Sequence, residues 1–204
     1  KATLRCSIKE VSMNVGNRHF CIELKPSTGG SKKSDDALEQ KVEAVATKPI
    51  EVVKFQLAID AARFAGNFEE SEGEKFVFYK DEGGRDKCMT VPLQLKNSAG
   101  VVVTGRAVTL HCTLLYESGQ EVGDQGVLLV HSTSQLAVDP ASGAAELKIR
   151  IEEVSRNHRN RDFQIKIGPA PSNHDDRDVA ADTTAAVTVR SKRNNPKRGG
   201  GGAA

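Results

Sequence analysis

The side chains of this 204-residue chain whose type and spacing best suit them to chemistry are cations. Arg156, His158 and Arg159 stand in the hexapeptide Arg156-Asn157-His158-Arg159-Asn160-Arg161, and Arg190, Lys192, Arg193, Lys197 and Arg198 follow the last apolar alternation. Cations grouped in this way contact phosphates, and Arg or Asn can also read base edges. The last five are drawn from 29 basic residues and no acid follows Asp182, so residues 1–189 hold 24 basic against 27 acidic side chains. A formal charge of +2 thus divides into a slightly acidic body and a basic arm. Such an arm reads as a nuclear-import or phosphate-contacting segment, or equally as a solvated terminus. Glu152, Glu153 and Asp162 flank the hexapeptide, so a solvated, locally neutral loop is its competing reading.

Catalytic chemistry finds little support. The chain contains no G-x-S-x-G, P-loop, G-x-G-x-x-G or H-E-x-x-H motif. His111 and Cys112 are adjacent, but successive strand residues point to opposite faces and cannot act as base and nucleophile. The chain is therefore expected not to be an enzyme and to need no cofactor or small-molecule substrate. The five histidines form no i,i+2 or i,i+4 pair with one another, so no metal site is expected. The acidic run Asp175, Asp176 and Asp178 has the oxygens that calcium takes, but Arg177 interrupts it and EF-hand spacing is absent.

Cys6, Cys21, Cys88 and Cys112 form neither a CxxC pair nor a dense framework, and no Asn-x-Ser/Thr acceptor is present. Reduced thiols without glycosylation acceptors favour the nucleus or cytoplasm. No run approaches the roughly 18–20 apolar residues of a bilayer helix, so no membrane partner is expected. Aromatic residues make up 4% of the chain and Trp is absent, which removes the stacking platforms of single-strand binders. The first residues have neither an initiator Met nor a signal-like apolar stretch, and a piece of a longer polypeptide is expected.

What must position the cations is revealed by an internal repeat. Residues 1–26 lie over residues 144–169 without a gap, with 12 identities in 26 positions, among them Leu4/Leu147, Ile8/Ile151, Ser12/Ser155, Phe20/Phe163 and Ile22/Ile165. The register resumes at Val42, Ile50 and Val52 over Val179, Val187 and Val189. A period this long suits tandem domains rather than a solenoid. Asn14, Asn17 and Arg18 recur as Asn157, Asn160 and Arg161. These shared positions read as a structural turn, with Arg18 and Arg161 pairing with a carboxylate such as Glu10 or Glu153. The positions that differ, Arg156, His158 and Arg159, are left free for a partner.

Strict alternation predicts strands nearly everywhere: Val91, Leu93, Leu95; Val108, Leu110, Cys112, Leu114; Leu147, Ile149, Ile151; Phe163, Ile165, Ile167; Val187, Val189. With turn residues between them and few helical patterns, the expected fold is an all-β, immunoglobulin-like antiparallel sandwich. The expected layout is residues 1–54 as the C-terminal part of a first sandwich unit, with its missing strands upstream or supplied by the second unit. A linker at 55–73 follows, where Leu57, Ala61, Phe64 or Ala65 and Phe68 suit a short helix while Phe55–Ile59 reads equally as a continuation of the preceding strand, then a complete unit at 74–192 and a flexible basic Gly-rich tail at 193–204.

At the level of architecture, a sandwich with a basic end loop and a basic C-terminal arm resembles the immunoglobulin-like DNA-binding domains of the Rel and p53-like groups. That resemblance carries no residue across; from the clustered cations themselves, duplex contact is expected through Arg156, His158, Arg159 and the 190–198 arm. Read from the residues alone, the chain is a non-catalytic recognition module for a protein or nucleic-acid partner, and a DNA-binding domain is the alternative.

Overall fold

The alternating segments become strands because each can hide one face and wet the other. A computed structural model of the protein describes residues 5–9, 12, 19–25, 44–50, 52–72, 75–84 and 86–193. It is dominated by strands and divides into two units, Lys1–Lys54 and Phe55–Ala204.

In the first unit, β1 (Glu23–Leu24) pairs antiparallel with β2 (Val45–Ala46), and Phe20 bridges to Ile50. Ser12 is buried, and its hydroxyl accepts from the Val52 amide at 3.0 Å. Cys6 and Cys21 are both exposed free thiols.

The larger unit contains β3 (Phe55–Ile59), helix α1 (Ala61–Ala65), β4 (Glu70–Glu72), β5 (Lys75–Tyr79), β6 (Met89–Asn97), β7 (Leu110–Tyr116), β8 (Leu128–Val130), β9 (Ala144–Ile151), β10 (Phe163–Pro169), β11 (Val179–Ala180), β12 (Asp182–Thr183) and β13 (Val187–Arg190). One sheet runs β11-β3-β6-β9-β8. In the other, β10 pairs with β7, β12 and β13, and β13 leads on through β5 to β4. Most pairings are antiparallel, but β11 with β3 and β13 with β5 are parallel, which departs from the purely antiparallel expectation. One buried apolar cluster joins Leu57, Leu93 and Ile149 of the first sheet with Leu114, Ile165 and Val189 of the second.

Of the two readings of Phe55–Ile59, the strand is the one observed. Phe55–Ile59 pairs with Leu93–Asn97 inside the first sheet, so its apolar residues go into the core rather than across a boundary. The short helix that follows is capped by the Asp60 carboxylate, which accepts from the Arg63 amide at 3.0 Å. Its Phe64 is buried edge-on to Phe68 and Phe76, and the last two rings stack at 4.7 Å.

Arg150 alternates away from Leu147, Ile149 and Ile151 as expected, yet it is buried too. The guanidinium donates to Glu152 at 2.7 Å and to the carbonyls of Gly84 and Lys87.

Candidate functional site

The hexapeptide lies between β9 and β10. Residues Ser155–His158 make one 3₁₀ turn, after which Arg159 and Asn160 both take left-handed backbone, with φ of 61° and 59°. Asn tolerates this region better than most residues, and Arg159 enters it to close the turn, its amide donating to the Ser155 carbonyl. The buried Ser155 hydroxyl accepts from the Val189 amide at 3.0 Å and so fastens the turn to β13. Asp162, also buried, accepts from the Thr188 hydroxyl at 2.6 Å and forms an ion pair with Lys75 at 2.6 Å. Lys75 reaches Glu117 at 2.9 Å as well. The hydrogen bonds to Asp162 and then Glu117 hold the Lys75 ammonium well above its ordinary pKa.

These contacts shape an open cleft of about 650 Å³ between the turn and the end of β13. Lys75, Arg156, Arg190 and Lys192 line it, with Asn160 and a single acid, Asp162. Three of the cations expected from the sequence, Arg156, Arg190 and Lys192, are thus brought to one place by the bond that ties the turn to β13. The other predicted cations among the described residues go elsewhere. His158 turns inward, its Nδ1 at 2.8 Å from the Tyr116 hydroxyl and its ring edge-on to Phe163. Arg159 is exposed at the tip and is not part of the cleft wall. Lys197 and Arg198 lie outside the described residues, as do Asn14, Asn17 and Arg18.

Arg193 is engaged with carboxylates. It pairs with Glu69, lies 3.3 Å from Glu82 and 3.6 Å from Glu70, and its guanidinium sits over the Tyr79 ring at 5.1 Å. The hydrogen bond to Arg193 holds the Glu69 carboxyl below its usual range. The Tyr79 hydroxyl donates to Glu70 at 2.7 Å, and that bond to a carboxylate, with burial, pushes its pKa up.

The expected pairing of Arg161 with Glu153 does not occur. The Arg161 guanidinium stacks on the Tyr116 ring, 3.4 Å from its centroid, because Phe163 pairs with Tyr116 and brings the start of β10 over that ring. Glu153 receives the Asn157 side-chain amide instead, at 2.7 Å. Lys75 and Asp162 were missed as site residues. Lys75 opens a strand whose parallel partner lies more than a hundred residues away, and local spacing carries no trace of that pairing.

At the opposite sheet, Asp176 and Asp178 are buried against Arg106, whose guanidinium reaches them at 3.0 Å and 2.6 Å. Their oxygens therefore hold a cation of the chain itself. Among the described residues, no three His, Cys, Asp or Glu side chains gather as a metal ion would require, and no helix is long and apolar enough to cross a membrane.

No curated protein matches this sequence. A family model does, over residues 69–200, which span β4 to β13 and every residue of the cleft. The match covers well over half of the chain, which therefore belongs to the DG1062 N-terminal domain family.

Proposed function

We propose that this chain is a non-catalytic recognition module whose larger unit is an immunoglobulin-like β-sandwich that binds an anionic segment of a macromolecular partner. The observation that carries the reading is the convergence of Arg156, Arg190, Lys192 and Lys75 on one open cleft with Asp162 as its single acid. Lys75 and Asp162 largely neutralise each other, and the cleft keeps a net positive charge from Arg156, Arg190 and Lys192. The buried cluster shared by the two sheets supports the sandwich. Four free cysteines and the basic tail support a nuclear or cytoplasmic setting.

The second reading is a DNA-binding domain of the transcription-factor type. Arginine and lysine beside Asn160 at a sandwich end are the groups that contact duplex phosphates and base edges. One titration series separates the readings. The chain is titrated with duplex DNA and with an acidic peptide of equal charge at several salt concentrations, alongside the triple variant Arg156→Ala, Arg190→Ala, Lys192→Ala. Both readings expect the triple variant to lose at least about tenfold in affinity for the preferred ligand, and the ligand preferred identifies the class. Binding that is indifferent to salt and to the triple variant, or no binding of either polyanion, would sink both.

A further inference from the structure

The first unit repeats the hydrogen bonding of the end of the larger one. Ser12 Oγ accepts from the Val52 amide at 3.0 Å, as Ser155 Oγ accepts from that of Val189 at 3.0 Å. Phe20 pairs antiparallel with Ile50, as Phe163 does with Val187. The Ile22 amide donates to Thr47 Oγ1 at 3.0 Å and the Thr47 amide donates back to the Ile22 carbonyl. Ile165 and Thr184 make the same reciprocal pair, again with 3.0 Å to the hydroxyl. Glu23 opposite Ala46 and Leu24 opposite Val45 match Lys166 opposite Thr183 and Ile167 opposite Asp182. Each pair follows the two registers of the sequence repeat. The Ser12 and Ser155 hydroxyls bond across to another strand from residues that are both 3% exposed, which a generic hairpin does not require.

In the larger unit these strands have further neighbours. β10 is covered on one side by β7 over its whole length, and β13 is covered by β5 in parallel. Among the described residues, no strand of the first unit takes either place. The consequence is visible in burial: Leu24 is 52% exposed where its counterpart Ile167 is 0% exposed. Phe20, Ile22 and Ile50 are half-buried where Phe163, Ile165 and Val187 are fully buried.

We propose that residues 1–54 are the C-terminal part of a second copy of this domain and present a strand-accepting surface. The free edge of Phe20–Leu24 takes an antiparallel strand with the chemistry of β7. The free edge at Ile50 and Val52 takes a parallel strand with the chemistry of β5. The occupant is a segment of the same polypeptide patterned like residues 55–143, the part of the domain with no counterpart among residues 1–54. Backbone pairing provides the affinity and the alternating apolar side chains fix the register. The proposal is independent of the cleft and stands or falls without it.

Hydrogen exchange tests it. The amides of Phe20, Ile22, Thr47 and Ile50 are followed in the 1–204 chain, with those of Phe163, Ile165, Thr184 and Val187 as the internal reference. An extended chain carries an extra copy of residues 55–143 directly before Lys1, in the register set by the repeat. In the 1–204 chain the first-unit amides exchange at least about 100-fold faster than the reference, and in the extended chain they slow by at least about tenfold. Protection equal to the reference in the 1–204 chain overturns the proposal, as does unchanged exchange in an extended chain whose reference amides stay protected. The first comparison needs no new chain, so the proposal remains open to refutation even where the extended one fails to fold.

Discussion

Ser155 shows how much one buried hydroxyl can fix. Its bond to the Val189 amide ties the cation-bearing turn to β13, and with it the relative positions of Arg156 and Arg190. Ser155→Ala leaves that buried amide without its partner, and chemical denaturation is expected to show a loss of about 1–3 kcal/mol. Cys112 offers a second test at this scale. Burial pushes its thiol up to about 11 from an ordinary value of 9.0, so the folded chain holds a proton that the unfolded chain releases. Between those values the unfolded state binds fewer protons, and stability falls as pH rises from about 9 to about 11. Denaturation midpoints across that window are expected to fall less steeply for Cys112→Ala, and a thiol reagent at pH 8 is expected to label Cys6 and Cys21 well ahead of Cys112. Arg156, Arg190 and Lys192 of the cleft were legible as residues because each stands in a local cluster of cations. Their companions were not: Arg161 goes to an aromatic ring on another strand, and Asp162 is claimed by a lysine from the other side of the sheet pairing.

Strands are where sequence and structure agree most closely, because burial of one face imposes period two directly on the chain. Val91, Leu93 and Leu95 are all buried on β6, as Phe163, Ile165 and Ile167 are on β10. Pairing partners are a different matter, since parallel neighbours such as β13 and β5 leave no mark on local spacing. Phe55–Ile59 reads as a strand from its residues, but nothing in its spacing names β6 as its partner. Turns make sharp predictions at this scale. Gly143 has φ of +66°, and a Cβ there would meet the Val103 carbonyl and stand 2.7 Å from a Val102 methyl. Gly143→Ala is expected to destabilise by more than about 1 kcal/mol, read as a drop in denaturation midpoint without a change in slope. Arg106 joins two elements, reaching Asp176 and Asp178 while its guanidinium lies 4.9 Å from the Phe55 ring centroid. Arg106→Ala strands two buried carboxylates, and a loss of about 3–5 kcal/mol is expected in the same denaturation experiment.

For the whole molecule, a near-neutral formal charge hides a division of labour among cations. Arg193 is surrounded by Glu69, Glu70 and Glu82, so its role is to hold the end of β13 in place, whereas Arg156, Arg190 and Lys192 line the cleft. Affinity and its salt dependence separate these two jobs. A side chain that neutralises a phosphate releases a counterion, and its removal reduces the slope of log affinity against log salt by about 0.9 on duplex DNA. A side chain that positions others changes the affinity and leaves the slope alone. Arg156→Ala is therefore expected to weaken polyanion binding and flatten the salt dependence by about one counterion. Arg193→Ala is expected to weaken binding with the slope unchanged, while also freeing Glu69, whose carboxyl returns to its usual range once the Arg193 hydrogen bond is gone. Parallel titrations at four or more salt concentrations give both quantities for each variant. Equal flattening by the two substitutions would mean that Arg193 leaves its carboxylates to meet the partner, and the assignment of Arg193 as an anchor would then be wrong.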